Sequence, residues 1–237
     1  MNTLIVSFGS TYTESYQRVF GPLKESIEGR VYECITSRFV KRKLEQRGIA
    51  MDSLEEALVR IKCDGVTTIK VLAVFMIPGY EYLRTEAILE GNKGWLDYTM
   101  TPAFLERYED QVKLIHLLEE HFNEPGHTLY LLAHGSEHPS GATISQLQLL
   151  SESMGYEHVY ESIDGFPDAQ FARKRLNKET PILLYPLLFV AGDHAHLDLL
   201  ERKEELLREG YRVEAILQGM GEFPQVIDQL LGGLHDR

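Results

Sequence analysis

The chain contains an internal repeat, because three strand-like segments of its first half recur in the same order in its second half. Each segment is a mostly apolar run that leads into small or polar turn residues. The pairs are Thr3–Ser10 with Thr128–Ser136, Tyr32–Ser37 with Tyr160–Gly165, and Val74–Gly79 with Leu187–Gly192. Chance can produce one such match, but three in order predict two similar lobes. In this overlay Phe8 corresponds to His134, and Glu81 corresponds to His194.

Short apolar runs alternate with charged stretches of helical periodicity in both halves, which is typical of strands joined by helices around a parallel sheet. The strands are rich in Val, Ile and Leu without strict alternation, and this predicts sheets that are covered on both faces. We therefore expect an α/β fold of two pseudo-symmetric lobes, residues 1–124 and 125–237, with a cleft between them. The polar segment Asn123–His127 is the expected hinge.

The individual elements follow from the same patterns. The predicted strands are Thr3–Phe8, Val31–Ile35, Thr68–Ile77, Thr128–His134, His158–Ser162, Pro181–Val190 and Arg212–Leu217. The predicted helices are Tyr12–Glu28, Arg38–Gln46, Ser53–Cys63, Leu83–Glu90, Phe104–Phe122, Gly141–Met154, Pro167–Asn177, His196–Glu209 and Pro224–Leu234.

Charge and composition exclude several classes of function. The 237 residues include 24 Lys and Arg against 36 Asp and Glu, and the resulting net charge of −12 disfavours nucleic acid and anionic membranes as partners. No apolar run approaches the roughly 20 residues that span a bilayer, and the first residues lack a basic segment, so we expect neither an anchor nor export. Cys34 and Cys63 are too few for a disulfide framework, which indicates a reducing cytoplasm. The chain lacks a Gly-x-x-x-x-Gly-Lys loop, so we expect no nucleotide.

Two histidines and one acid follow predicted strands of the second lobe. His134 ends one strand, Asp164 follows the next, and His194 comes directly after a long apolar run; the spacing is 30 residues each time. Because the carboxyl ends of parallel strands meet at one edge of a sheet, these side chains can share a site. Neutral imidazoles with a carboxylate suit a borderline divalent metal. Each residue alone is also compatible with an ordinary turn, so the hypothesis depends on the three together.

The first lobe offers an acid and a basic segment. Glu81 stands at the position that matches His194, although a glutamate that opens a helix is commonly a favourable charge at the helix dipole. Ser37–Arg47 is the densest basic segment of this acidic chain. Such a run is usually a solvated helix face, but Arg38, Lys41 and Arg42 are also candidates for contacts with substrate carboxylates, whose geometry matches guanidinium.

These residues resemble the anaerobic sirohydrochlorin cobaltochelatases, which are ATP-independent, single-subunit chelatases related to ferrochelatase. The match covers most of the chain, and its most specific motifs are His134–Gly135 and the Ala-Gly-Asp-His-Ala motif at Ala191–Ala195. Supporting matches are Val6–Gly9, Thr36–Arg38, Arg42–Leu44, Gly79 with Glu81–Tyr82, Gly165 with Pro167, Val190 with Asp198, and Gly219 with Gly221–Glu222.

The resemblance implies a tetrapyrrole substrate and a divalent metal that is inserted into it, with Co²⁺ expected first and Fe²⁺ or Ni²⁺ as alternatives. It implies His134, Asp164 and His194 as metal ligands, and His134, His194 and Glu81 as catalytic residues. The expected substrate contacts are Ser10, Arg38, Glu81, Tyr82 and Ser136. A homo-oligomer is compatible with this reading. The chain departs from the family pattern at Phe75 (usually His), Pro78 (usually Asn), Asp164 (usually Glu) and His196 (usually not a ligand), and in lacking an acidic, tryptophan-containing stretch after Asp198.

Two other functions stay open at this point. His194-Ala-His196-Leu-Asp198 reads as His-x-His-x-Asp, the beginning of a binuclear metallo-hydrolase signature, although only His235 follows it. A carrier that binds a tetrapyrrole or a metal without insertion would use the same residues.

Overall fold

The structure, a computed structural model, describes residues 2–122 and 126–235. The side chains of residues 193–195 and 235 lie outside this description, as does the first part of the expected hinge, residues 123–125. The strands are β1 (Asn2–Ser7), β2 (Arg30–Ile35), β3 (Asp52–Ser53), β4 (Thr68–Val74), β5 (Asp97–Met100), β6 (Thr128–Gly135), β7 (His158–Asp164), β8 (Ile182–Pro186) and β9 (Val213–Ala215). The helices are α1 (Thr13–Glu25), α2 (Arg38–Gln46), α3 (Leu54–Cys63), α4 (Tyr80–Glu90), α5 (Tyr108–Phe122), α6 (Ala142–Ser153), α7 (Ala169–Arg173), α8 (Asp193–Arg208) and α9 (Pro224–His235).

The chain forms two compact units. The first unit comprises Met1–Phe104 and Gly221–Arg237, and the second comprises Leu105–Met220. These bounds differ from the expected lobes in two places: α5 belongs to the second unit, where it contacts α6, and the C-terminal helix α9 packs on β4 of the first unit. Lys70 Nζ of β4 donates a hydrogen bond to the carbonyl oxygen of Leu234 in α9.

The first unit contains a parallel sheet with the strand order β3-β2-β1-β4-β5. Its core holds Leu4, Val6, Ile69 and Val71, which are buried apolar side chains of β1 and β4. Runs of buried residues without alternation, as in β1, are what a sheet with helices on both faces requires.

The second unit contains a parallel sheet with the strand order β7-β6-β8-β9. Buried side chains of its strands pack against Ala172 of α7 and against Leu199 and Leu206 of α8. The order of the first three strands repeats that of β2-β1-β4, so the topology confirms the α/β fold with two similar parallel sheets.

The strand register refines the sequence overlay. Val6 pairs with Cys34 and Ala73 in the first unit, and Leu132 pairs with Glu161 and Pro186 in the second. The first and third pairs of repeat segments therefore align as the sequence predicts. The middle pair of segments is displaced by one residue. The sequence overlay matches Glu33 with Glu161, whereas the strand register makes Cys34 the equivalent of Glu161. Successive strand residues face opposite sides of a sheet, so this displacement exchanges the two faces.

Every predicted strand is present, but two short strands at the edges of the first sheet, β3 and β5, were not predicted. Helix α4 begins at Tyr80, three residues before the predicted start, and α5 begins at Tyr108, four residues after it. Helix α7 covers only Ala169–Arg173 of the predicted Pro167–Asn177. Within the described ranges, no helix is both long enough and apolar enough to cross a membrane.

Candidate functional site

His134 and Asp164 lie side by side at the carboxyl ends of β6 and β7. The Nε2 atom of His134 is 3.5 Å from Oδ2 of Asp164, and 67% of the His134 side chain and 58% of the Asp164 side chain are exposed. This distance is too long for a strong hydrogen bond. Two ligands bonded at about 2.0–2.1 Å to one tetrahedral ion are themselves about 3.3 Å apart. The pair therefore has the spacing of two ligands of a single cation and is open to solvent.

Glycines at this edge keep the two strand ends close together. Gly135 pairs with Asp164 across the sheet, and its φ of +79° lies in the left-handed region that glycine favours. A Cβ atom at Gly135 would come within 2.0 Å of the carbonyl oxygen of Asp164, and one at Gly165 within 2.8 Å of that of Ser136. The glycines that follow His134 and Asp164 are thus required by close backbone packing.

His194 is the second residue of α8, which begins after Gly192. Its backbone therefore lies at the start of the helix that follows β8, and its side chain belongs to the part that is not described. Among the described side chains, no group of three His, Cys, Asp or Glu residues forms a metal cluster. The structure thus brings two of the three predicted ligands together, and the third stays a prediction.

Helix α8 argues against the metallo-hydrolase alternative. His194, His196 and Asp198 all lie within this helix. Residues two apart in an α-helix do not face each other, so a helical backbone over Asp193–Arg208 does not favour a metal site built from this motif.

Glu81 occupies the second position of α4, the place that His194 takes in α8. Gly79 and Gly192 precede the two helices in the same way, so the backbone bears out the overlay of Glu81 on His194. The Oε2 atom of Glu81 is buried and has no hydrogen-bond partner among the described residues. An unpaired buried carboxylate oxygen is costly, which is typical of a group that receives a proton or a ligand.

Tyr82 lies in the core of the first unit. Only 8% of the residue is exposed, and its hydroxyl donates a hydrogen bond to the carbonyl oxygen of Thr101 at 3.2 Å. Its ring meets Phe75 edge to face, with 6.2 Å between the ring centroids. Phe75 replaces the histidine of the family pattern and is buried. Both rings pack the core in this structure, and the substrate contact expected for Tyr82 stays a prediction.

Ser10 and Ser136 form the same turn in the two units. The Ser10 hydroxyl accepts a hydrogen bond from the backbone N–H of Tyr12 at 3.0 Å, and the Ser136 hydroxyl accepts one from that of His138 at 3.1 Å. Such serine turns fix the backbone after a strand. The predicted substrate role of both serines is untested by this geometry, which shows that each shapes the loop at a strand end.

Arg38 lines a cavity of about 340 Å³ in the first unit. Lys41, Arg42 and Arg84 line the same cavity together with Glu45 and Glu55, so basic residues outnumber acidic ones in its wall by four to two. Lys41 is bound by Glu45 and Glu56, and Arg84 lies 3.7 Å from Glu55.

The guanidinium groups of Arg38 and Arg42 have no ion-pair partner in the described ranges. Arg38 begins α2, whose N-cap Ser37 accepts a hydrogen bond from the backbone N–H of Val40 at 3.3 Å. Both the beginning of a helix and unpaired guanidinium groups attract negatively charged groups. Arg84 was not predicted to contact the substrate, because this residue belongs to α4 rather than to the basic segment.

Comparisons with known proteins place the fold among the chelatases. Solved structures of SirB from Bacillus subtilis match it with a TM-score of 0.70 for the protein with Fe³⁺ and 0.65 for the complex with cobalt. Identities are 13% and 14%, and each comparison covers 99% of this chain and 94% of the other. The chain belongs to the cobalt chelatase (CbiK) family, whose model matches residues 1–237. This result confirms the resemblance found in the sequence.

Two curated relatives carry the name sirohydrochlorin cobaltochelatase. The sirohydrochlorin cobaltochelatase of Salmonella typhimurium is 24% identical, over 98% of this chain and 94% of the relative. The sirohydrochlorin cobaltochelatase CbiKC of Nitratidesulfovibrio vulgaris is 26% identical, over 95% of this chain and 86% of the relative.

Proposed function

We propose that this protein inserts a divalent metal ion, Co²⁺ in the first instance, into sirohydrochlorin, and that it does so without a nucleotide. Membership of the cobalt chelatase family and the names of the curated relatives support the reaction class. The observation that carries the proposal for this chain is the 3.5 Å spacing between His134 Nε2 and Asp164 Oδ2 at an exposed strand edge.

In this proposal His134, Asp164 and His194 hold the incoming ion. The carboxylate supplies a negative charge, and neutral imidazoles are ligands that bind a borderline divalent ion without being too strong to release it. The exposure of His134 and Asp164 leaves room for a hydrated ion to shed water and for a planar ring to approach. The Irving–Williams order ranks Co²⁺ above Fe²⁺ but below Ni²⁺ at such a site, so affinity alone does not select Co²⁺ and cellular supply contributes to the choice.

Insertion also requires two proton transfers, because the ring loses two pyrrole N–H protons as the M²⁺ ion enters. A neutral imidazole has a free nitrogen lone pair, so His134 can accept one of these protons once the ion has left it for the ring nitrogens. Glu81 is the proposed second proton acceptor, since its buried Oε2 has no partner among the described groups. Charge balances at the ring nitrogens, because two protons leave them as one dication enters.

The basic cavity is the proposed contact for substrate carboxylates. Arg38 and Arg42 present guanidinium groups without ion-pair partners, and bidentate binding to carboxylates is the interaction that this geometry favours. An acidic protein needs such a local basic region to hold a polyanionic substrate.

An anaerobic assay with purified protein tests the function. Sirohydrochlorin is mixed with Co²⁺, Fe²⁺ or Ni²⁺ in the absence of ATP, and insertion is followed by the change in the visible spectrum of the ring. The wild type is expected to accelerate insertion, His134→Ala to abolish the acceleration, and His116→Ala, an exposed histidine of α5 in the same unit, to preserve it.

Two outcomes contradict the proposal. If the protein binds the ring tightly and the spectrum does not change on metal addition, the chain is a carrier. If H134A accelerates insertion as well as the wild type does, the metal is delivered elsewhere.

A further inference from the structure

A buried polar network lies beneath the proposed metal ligands of the second unit. Glu161 of β7 is its centre, and only 1% of this side chain is exposed. Its carboxylate accepts hydrogen bonds from the Tyr130 hydroxyl of β6 and from the Arg202 guanidinium of α8. Burial raises the pKa of Glu161, while Tyr130 and Arg202 act in the opposite direction.

The network continues from Arg202 to the helix surface. Arg202 also donates a hydrogen bond to Glu205, which in turn accepts one from Arg173 of α7 at 3.0 Å. Arg173 is further bound by Glu209 at 2.8 Å. The network therefore joins β6, β7, α7 and α8 through directional, charge-assisted hydrogen bonds.

Three of these elements carry the three proposed ligands. Tyr130 precedes His134 by four residues in β6, a rise of about 13 Å, and Glu161 precedes Asp164 by three residues in β7, about 10 Å. Arg202 follows His194 by eight residues in α8, which is about 12 Å of helix. Because α8 runs back along the sheet from the carboxyl end of β8, the three bonded residues lie at a similar depth below the three ligands.

The energetics favour a positioning role over a stabilising one. Burying charged groups costs free energy that their attraction recovers only in part, and apolar residues of similar size often serve stability equally well. A hydrogen-bonded ion pair adds a fixed geometry. An apolar contact lets a helix slide over a sheet, whereas directional hydrogen bonds hold the helix in one position.

We infer that Tyr130, Glu161 and Arg202 are positioning residues, which hold α8 at the register on β6 and β7 that brings His194 to the ion bound by His134 and Asp164. This inference rests on the proposed function. Groups that hydrogen-bond metal ligands directly contribute about 10- to 100-fold to metal affinity, and we expect these three residues, which act through α8 and the strands, to contribute at the lower end of that range.

The test replaces the ion pair by apolar residues and measures metal binding without a tetrapyrrole. The double variant R202M/E161L is expected to keep its fold, as judged by urea unfolding, and to bind Co²⁺ at least about tenfold more weakly than the wild type. In the insertion assay, the KM for Co²⁺ is expected to rise while the KM for sirohydrochlorin is unchanged. The matched control is R175M/E152L, which removes an ion pair of the same unit that is more exposed and joins α6 to the segment after α7.

Two single variants test whether the geometry of the network, rather than its charge, supports Co²⁺ binding, and they keep the test possible if the double variant does not fold. Glu161→Gln keeps the volume, and its amide can still bond both partners, because the carbonyl oxygen can accept from Arg202 while the NH2 group donates to the Tyr130 hydroxyl oxygen. This variant is therefore expected to retain Co²⁺ affinity within about threefold, well short of the loss typical of a disrupted outer-shell contact. If the double variant does not fold, Arg202→Lys carries the test, because lysine keeps the charge and lacks the second nitrogen that joins Glu161 to Glu205; it is expected to bind about tenfold more weakly.

H134A in the same titration distinguishes the two proposals. If H134A binds Co²⁺ like the wild type, the proposed metal site fails. If H134A loses binding and a folded R202M/E161L or R202K binds like the wild type, the positioning role alone is overturned. A loss in E161Q as large as in the double variant also overturns it, since geometry is then not what the network supplies.

Discussion

Gly135 of β6 and Asp164 of β7 approach so closely that a Cβ atom on Gly135 would lie 2.0 Å from the Asp164 carbonyl oxygen. The contact joins the residue that follows one proposed ligand to the backbone of another. We predict that Gly135→Ala lowers the free energy of unfolding by at least about 3 kcal/mol, because it adds a steric clash to the strain of a positive φ. Urea unfolding measures this change.

Gly48→Ala is the matched control, since Gly48 has a φ of +74° and open space where a Cβ atom would stand. This variant is expected to lose only about 1 kcal/mol, the strain of a left-handed residue. Equal losses in the two variants would show that the packing of Gly135 on Asp164 is unimportant.

Asp164 is expected to contribute its charge to metal binding. Asp164→Asn keeps the shape and an oxygen ligand but removes the negative charge, so we predict that Co²⁺ affinity falls at least about tenfold. Asp164→Glu restores the acid of the family pattern and is expected to stay within about threefold of the wild type, because the charge remains. Isothermal titration with Co²⁺ checks both values, and unchanged affinity in D164N would remove Asp164 from the ligand set.

Arg38 and Arg42 are expected to act on the organic substrate and not on the metal. We predict that R38Q/R42Q raises the KM for sirohydrochlorin at least about tenfold, since each charged hydrogen bond contributes about 1.5–3 kcal/mol. The KM for Co²⁺ is expected to stay unchanged. Lys93→Gln, which removes a charge from an exposed pair with Glu90, is the control. If the double variant has the same KM for sirohydrochlorin as the wild type, the substrate carboxylates bind elsewhere on the protein.

His158 makes stability depend on pH. Burial lowers the pKa of His158, and a hydrogen bond of 3.0 Å between its Nε2 atom and Glu119 opposes the shift. In the unfolded chain the pKa is about 6.5, so the unfolded state binds more protons as the pH falls. The contribution of neutral His158 to the stability of the fold is therefore complete above pH ~6.5. It is lost as the pH falls from there toward the lower pKa that His158 has in the folded protein.

Protonation of this one group changes the free energy of unfolding by at most about 1.4 kcal/mol per pH unit. We predict that His158→Gln, which can still donate to Glu119, flattens the decline of stability between about pH 6.5 and 5, whereas His116→Gln does not. Urea unfolding across this pH range decides the matter, and parallel curves for H158Q and the wild type would contradict the assignment.

The sequence was sufficient for the central strands and for the repeat. Buried runs such as β1 and β6 carry their own signal, and glycines after them mark the strand ends. The short edge strands β3 and β5 lack that signal, because Asp52–Ser53 reads as a helix cap and Asp97–Met100 is half polar. Such strands exist because a neighbouring strand offers free backbone groups, which no local pattern reports.

The candidate site was predictable in its chemistry and not in its packing. His134 and Asp164 lie together because they end neighbouring parallel strands, which the order of elements implies. Tyr82 stands beside Glu81 in the sequence, yet its ring is in the core, since the start of α4 at Tyr80 decides which side chains face inward. The partners of Glu161 come from β6 and α8, and contacts between distant elements depend on tertiary packing.

Anomalous scattering at the cobalt edge, from crystals of the protein soaked in Co²⁺, shows directly where the metal binds. We expect one strong peak at bonding distance, about 2.0–2.2 Å, from His134 Nε2 and an Asp164 carboxylate oxygen, with His194 as a further ligand and no peak in H134A. A cobalt ion bound at other residues, with the His134 imidazole and the Asp164 carboxylate free of metal, would contradict it.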